Sequence, residues 1–364
     1  MNIVFRVDAS VQMGTGHAIR CLTLADELRV RGARCHFITR KQPGDLATAI
    51  ESRGYQVHRL PETVTSGRAD EAPAGPPHAS WLKGGWEQDA KQCRAVIGNL
   101  MPYWLIVDHY GIDHRWEMAL SQSCQNLMVI DDLADRKHHC NLLLDQNWHG
   151  PTTPKRYQKL IPKNTLQLLG PEYALLRPEY PILRKVIPPR DGNISRILVF
   201  MGGSDPGNET AKALRALYSP DLGHLVVDVV LGANHPDPEG ITEQGKARPR
   251  INIHRNLPGL AGLMAKADLM IGAGGATTWE RMCLGLPSIV ISIANNQTPT
   301  NRALMEAGYI NFLGESAAVS EQDIAAAIQH CVLSQEEMQS QSRLIESLVP
   351  GDGTAKTVSH LIRS

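Results

Sequence analysis

Short apolar runs alternate with stretches of helical period along nearly the whole chain, and glycines sit at many of the joints. That order constrains the fold strongly, because a strand can pair parallel to its predecessor only after a crossover long enough for a helix. The first series reads as a strand at 3–7, a helix at 17–31, a strand at 35–39, a helix at 45–52 and a strand at 55–60. After a Pro/Gly/Ser-rich stretch at 62–85 come a helix at 87–99 and strands at 104–108, 127–130 and 141–145. The pattern stops at 181–193, where Pro181, Pro188, Pro189, Asp191 and Gly192 read as an interdomain connection. A second series has strands at 196–201, 225–231, 251–253, 269–271, 288–293 and 310–313, with helices at 208–217, 258–266, 277–284 and 299–307. The remainder, 320–364, is helical with a break at 350–353. The expectation is an α/β chain of two Rossmann-like domains, 1–185 and 193–345, with a helix in 346–364 that crosses back onto the first.

A length of 364 residues suits two cores of ordinary size better than one. The formal net charge of zero removes any electrostatic case for nucleic acid or an anionic membrane, and 5% aromatic residues offer no stacking platform for single strands. Seven cysteines without a CxxC pair argue against a disulfide framework and a zinc ribbon, and point to a reducing cytoplasm. His138-His139-Cys140, beside Asp131, Asp132 and Asp135, is the nearest approach to a metal cluster. Adjacent residues on a strand face opposite sides, so these cannot all converge on one ion. Without a charged and then apolar leader, and without a run approaching ~20 apolar residues, neither secretion nor a membrane span is expected.

Ligands of doubly wound sheets bind beyond the carboxyl ends of the strands, so the loops that follow strands carry the chemistry. Behind the first strand, Gly14 and Gly16 permit a tight turn and set His17 in the first turn of a helix. Such a histidine is often just an exposed polar residue. Yet free amides and the positive end of the helix dipole suit an anionic ligand and disfavour the imidazolium, which makes His17 a candidate general base. Met201-Gly202-Gly203-Ser204-Asp205-Pro206 and Gly272-Ala273-Gly274-Gly275-Ala276-Thr277-Thr278 can each turn backbone amides toward a diphosphate. Glu280, three residues after Thr277, either closes a capping box or accepts the two hydroxyls of a ribose. The second half lacks Gly-x-Gly-x-x-Gly in the proper place, so a nucleoside diphosphate is expected there instead of NAD. Asn295-Asn296-Gln297 suits sugar hydroxyls and N-acetyl groups, or simply a polar turn. In Asp108-His109-Tyr110-Gly111, Tyr110 can reach a ligand in an interdomain cleft, while Asp108 reads as a cap for the next helical turn.

Several runs carry a family resemblance together. They are Arg6-Val7-Asp8-Ala9-Ser10, Gly14-x-Gly16-His17, Arg20-Cys21-Leu22-Thr23-Leu24-Ala25, Val107-Asp108-His109-Tyr110-Gly111 and Ile130-Asp131-Asp132-Leu133-Ala134. To these add Leu169-Gly170-Pro171-Glu172-Tyr173-Ala174-Leu175-Leu176-Arg177-Pro178-Glu179, Gly202-Gly203-Ser204-Asp205-Pro206 and Asn296-Gln297. The set resembles the PseG family, UDP-2,4-diacetamido-2,4,6-trideoxy-β-L-altropyranose hydrolases of pseudaminic acid biosynthesis. That resemblance implies a GT-B architecture related to the glycosyltransferase MurG, two Rossmann-like domains with parallel sheets facing a cleft. It implies that His17 is the general base acting on water. The substrate, a UDP-activated diacetamido sugar, would then be held by Asp8, Gly14, Gly16, Arg20, Tyr110, Gly203, Ser204, Leu257, Gly274, Gly275, Ala276, Thr277, Glu280, Asn296 and Gln297. Inversion, no metal, no cofactor and a monomer complete the expectation. Lys83-Gly84-Gly85-Trp86 departs from the smaller Gly-Val-type stretch that the family carries after Trp81-Leu82. Three rivals share parts of the pattern. A MurG-like glycosyltransferase needs an acceptor surface, a non-catalytic UDP-sugar-binding protein leaves His17 a phosphate contact, and a pyrophosphatase cuts P–O instead of C–O.

Overall fold

The computed structural model describes residues 1–61, 75–255 and 257–363, so the first part of the Pro/Gly/Ser-rich stretch expected at 62–85 lies outside the described residues. Two compact units emerge. The first comprises Met1–Asn147, Pro151–Leu175 and Gly353–Ser364, and the second Trp148–Gly150 and Leu176–Asp352.

The first unit holds a seven-stranded sheet. Its strands are β1 (Asn2–Val7), β2 (Arg34–Arg40), β3 (Gln56–Leu60), β4 (Trp104–Asp108), β5 (Asn126–Ile130), β6 (Leu142–Asp145) and β7 (Leu166–Leu169). All pairs are parallel, in the order β3-β2-β1-β4-β5-β6-β7. Strand β1 is buried on both faces because helices cover both. Ile3, Phe5 and Val7 pack with Leu24 and Leu28 on one side, and Val4 packs with Ile97 and Trp116 on the other.

In the second unit the strands are β8 (Arg196–Phe200), β9 (Val226–Leu231), β10 (Ile251–Arg255), β11 (Leu269–Ala273), β12 (Ser288–Ser292) and β13 (Asn311–Glu315). They form a parallel sheet ordered β10-β9-β8-β11-β12-β13. Strand order reverses between β1 and β4 in the first unit, and between β8 and β11 in the second. At such switch points neighbouring loops diverge and leave a crevice.

Besides the unanticipated strand β7, three helices depart from the sequence reading. Glu179–Val186 is a helix of the second unit, although an irregular connection was expected around Pro181 and the first domain was drawn to 185. Pro181 falls in the first turn, where its missing N–H has no helical partner in any case. Helices His114–Leu120 and Pro238–Lys246 were not anticipated, although each carries a start signal. Asp113 accepts from the Arg115 amide at 3.0 Å, and Asp237 accepts from the Gly240 amide at 2.9 Å. Helix Gly353–Arg363 belongs to the first unit, where Val358 and Leu361 enter the core and the Trp104 indole donates to the Leu361 carbonyl at 2.8 Å. Among the described residues no helix is long and apolar enough to cross a membrane.

Candidate functional site

The loop after β1 closes on itself through the Gly14 amide, which donates to the Ser10 carbonyl at 2.8 Å with Gly14 in left-handed backbone. Helix Gly16–Val30 then begins, and places His17 and Arg20 one turn apart facing the end of β4. Beyond Gly14 and Gly16 there is open space where a side chain would stand.

Asp108 ends β4 and is fully buried. Its Oδ1 lies 2.6 Å from His17 Nδ1, and Arg20 grips the carboxylate through Nε at 2.6 Å and Nη2 at 2.7 Å. Burial alone would push the pKa of this carboxyl up, but the Arg20 guanidinium and the His17 ring hold it well below the usual carboxylate range. An ionised Asp108 accepts only, so His17 Nδ1 carries the proton and donates. The lone pair of Nε2 is thereby left to take a proton from elsewhere. Asp108 is thus not the helix cap that the strand-end position suggested.

Asp132, after β5, joins the same constellation. It accepts from Arg20 Nη1 at 2.9 Å and from the Tyr110 hydroxyl. Burial and the Asp132 charge push the Tyr110 phenol well above its ordinary value, so it stays a donor. Tyr110 stands edge-on to His17 with ring centroids 4.5 Å apart, and Trp81 stacks on Tyr110 at 5.8 Å. His78 completes this wall, 4.6 Å from Trp81 and 5.4 Å from Tyr110. Gly111 is what lets the wall approach, since a Cβ there would lie 2.8 Å from the His78 carbonyl oxygen. The sequence pointed to Tyr110 but to neither His78, Trp81 nor Asp132 as its partners.

Two residues expected to contact substrate are engaged from inside the protein. Asp8 is buried and saturated from inside. It accepts from Arg6 at 2.6 and 2.9 Å, from the Arg40 amide at 2.8 Å and from the Thr39 hydroxyl at 3.2 Å. His109 Nε2 lies 3.4 Å away, while its Nδ1 accepts from the Gly111 amide at 3.0 Å. Asp8 therefore supports the Asp108-to-Gly111 turn through His109. Arg20, also expected to touch substrate, is turned inward onto its two carboxylates.

The His138-His139-Cys140 run has a structural role. His138 sits between Glu117, at 2.7 Å, and Asp131, at 3.7 Å, and these carboxylates overcome burial to raise it to about 9. It lies in the loop before β6, not on a strand as assumed, and among the described residues no group of three ligating side chains is placed to hold a metal ion.

In the second unit the loops after β8 and β11 flank the other switch point. Asp205 folds the first by accepting from the Glu209 and Thr210 amides, both at 2.9 Å, which leaves Gly203 exposed and Ser204 half-buried. After β11, Gly274 lies against the buried Asn301 amide, whose Nδ2 donates to Ser292 at 2.9 Å. Next, Gly275 faces open space. A Gly274→Ala substitution would set its Cβ 2.1 Å from Asn301 Nδ2. Its expected cost is about 1–3 kcal/mol in urea denaturation, whereas Gly275→Ala should stay within about 0.5 kcal/mol.

Helix Thr277–Cys283 follows, with Ala276 at its cap position and no side-chain capping bond, so the capping-box role for Glu280 is not realised. Burial lifts the half-buried Glu280 carboxyl to about 7, against the pull of Tyr180 and Arg177. Leu257 is partly exposed on a loop that Arg177 ties down at the Pro258 carbonyl, 3.0 Å away. Asn296 is exposed, and Gln297 Oε1 accepts from the Ile293 amide at 3.1 Å, which pins its own loop.

The chain matches no family model. It is 27% identical over 296 residues to an uncharacterized protein of Methanocaldococcus jannaschii, covering 80% of this chain and 55% of that one. Over 170 residues it is 29% identical to the spore coat polysaccharide biosynthesis protein SpsG of Bacillus subtilis, covering 46% and 50%. The chain thus spans about half the length of each of these two relatives. A UDP-2,4-diacetamido-2,4,6-trideoxy-β-L-altropyranose hydrolase of Campylobacter jejuni is 22% identical over 315 residues, 85% of this chain and 98% of that one. Among solved structures, Acinetobacter baumannii MurG superposes with a TM-score of 0.66 at 11% identity, covering 100% of this chain and 99% of MurG. A Neisseria meningitidis UDP-GlcNAc 2-epimerase bound to UDP-GlcNAc superposes at 0.61 with 12% identity, each chain covered completely. These likenesses establish the fold as that of GT-B glycosyltransferases.

Proposed function

We propose that the chain hydrolyses a UDP-activated sugar of the 2,4-diacetamido-2,4,6-trideoxy class, with water attacking the anomeric carbon and UDP departing. One observation carries the reading. His17 is locked by an ionised Asp108 in the tautomer that leaves Nε2 able to accept a proton from water. The likeness to the Campylobacter jejuni hydrolase, at 22% identity over 85% of this chain, supports the choice of substrate. As His17 takes the proton, the new C–O bond forms on the face away from the leaving group, so the sugar inverts while the anomeric C–O bond to UDP breaks. Asp108 stabilises the imidazolium that results. In the second unit, the amides around Gly203, Ser204 and Gly274 to Thr277 would take up the diphosphate, with Asn296 toward the sugar. Leu257 would border the base, and Glu280 would accept the ribose hydroxyls.

Incubation with UDP-2,4-diacetamido-2,4,6-trideoxyaltrose in ¹⁸O-water, followed by mass spectrometry, should place the label in the sugar and none in UDP. Label in phosphate, release of UMP, or a strict need for an added acceptor would reject hydrolysis. The last of these would establish a transferase instead.

Ribose binding by Glu280 also has a pH signature. The ionised form accepts two hydrogen bonds, so UDP affinity should fall as pH drops through about 7, where Glu280 gains its proton. The loss between pH 8 and 5.5 is expected to be about tenfold larger than in Glu280→Gln, which removes this step while retaining the titration of UDP itself. Calorimetric titrations that run parallel for both proteins would reject the assignment.

A further inference from the structure

We propose that Asp132 is a positioning residue for the His17–Asp108 pair, one carboxylate that draws the Arg20 guanidinium back from the imidazole and fixes the Tyr110 hydroxyl beside it. The inference rests on the reading that His17 is the base of a hydrolysis. It also gives a purpose to Asp131-Asp132, a motif visible in the sequence to which the proposed chemistry assigns nothing.

The two neighbouring aspartates after β5 do different work. Asp131 is buried and anchors the loop, lying 2.8 Å from Arg136 Nη1 and accepting from the Tyr157 hydroxyl at 3.0 Å and the Ala134 amide at 2.9 Å. Arg156 Nη2 donates to the Asp132 and Leu133 carbonyls at 3.0 and 2.8 Å, which braces the backbone on which the Asp132 side chain stands. From that braced position the Asp132 carboxylate accepts from Arg20 Nη1 at 2.9 Å and from the Tyr110 hydroxyl. Both of these side chains lie against the His17 ring.

The placement of Arg20 is what makes a second carboxylate matter. Arg20 Nη2 and His17 Nδ1 donate to the same oxygen of Asp108 and stand only 3.2 Å apart. A guanidinium at that distance opposes the imidazolium that forms when His17 takes a proton, and Arg20 with Asp108 alone leaves no net negative charge to balance it. Asp132, bonded to the far nitrogen Nη1, supplies that charge. The remaining groups near the ring are neutral. Burial and Asp132 keep the Tyr110 phenol protonated, burial lowers His78 below the ordinary histidine value, and the buried Cys21 thiol donates to Asp108 at 3.6 Å.

The test is the pH dependence of kcat for UDP release from UDP-2,4-diacetamido-2,4,6-trideoxyaltrose by the full chain. It is measured at saturating substrate, so that the Glu280 step in binding does not enter, with wild type, Asp132→Asn and Asp132→Glu, each checked for folding by circular dichroism. Asp132→Asn keeps an oxygen for Tyr110 but removes the charge. Its kcat should fall about tenfold, and the midpoint of the acid limb should move down by roughly half to one pH unit, because the imidazolium loses its balancing charge. Asp132→Glu keeps the charge on a longer side chain, so it should hold the wild-type midpoint and lose several-fold in kcat. A folded Asp132→Asn protein with an unmoved midpoint overturns the proposal, whatever its rate. If that variant does not fold, wild-type kcat in Asp132→Glu overturns it, and reduced kcat at an unmoved midpoint supports it. Wild-type protein that releases no UDP removes the hydrolysis reading itself. The His17 ring, assigned by comparison with His17→Ala, is then titrated by NMR, and equal midpoints in wild type and Asp132→Asn overturn the positioning role as well.

Discussion

Replacing His17 by alanine is expected to lower turnover of the UDP-sugar by about 10²–10⁴-fold or more while leaving UDP affinity within about twofold. On the proposed reading His17 acts on water and the nucleotide is held by residues of the other unit, so chemistry and nucleotide binding should separate cleanly. Product release followed by chromatography, paired with calorimetric titration of UDP, checks both halves. Turnover within tenfold of wild type would remove His17 as the base. A parallel collapse of UDP affinity would recast it as a phosphate contact.

Asp108→Asn should be comparably damaging to turnover, for a different reason. An asparagine can donate its amide N–H to Nδ1, which drives the ring proton to Nε2 and leaves no lone pair facing water. On the general logic of histidine–carboxylate pairs, the loss is on the order of 10⁴-fold in kcat with little change in KM. A second effect accompanies it. Arg20 loses one of its two carboxylates and keeps only Asp132, and breaking a buried ion pair from one side costs up to about 3–5 kcal/mol. The wild-type contribution is lost by another route in acid. Since Asp108 is held below its ordinary range, its stabilisation is complete above about pH 4 and disappears as pH falls further. Urea titration of the variant at pH 7 and pH 3 should show a difference from wild type at the higher pH that narrows at the lower. An Asp108→Asn protein with near-normal kcat would refute the tautomer argument.

What sequence could reveal here followed local periodicity. Two doubly wound sheets were legible because β1, β4, β8 and β11 are short apolar runs followed by glycine or polar loops, and their helices repeat at helical spacing. Strand β7, Leu-Gln-Leu-Leu, was missed because four residues cannot show a period. The role of Asp108 was hidden for another reason. Its partner Arg20 is 88 residues away, and only the β1–β4 pairing brings them together. The partners of Asp8 were hidden in the same way, since nothing local to a strand-end carboxylate announces that Arg6, Thr39 and Arg40 enclose it. Motif position located the turn, but which carboxylate engages His17 depended on contacts distant in sequence.

Helix Gly353–Arg363 reaches the core of the first unit only after the chain has passed through the entire second unit. During synthesis, the face of the β1–β4 region that receives Val358 and Leu361 must wait, with the Trp104 indole lacking its carbonyl acceptor, until those residues leave the ribosome. His17 is thus made long before the helix that closes its sheet. A ribosome stalled after the second unit therefore displays a complete second sheet and an unsealed first one, and chaperone demand should concentrate in that interval.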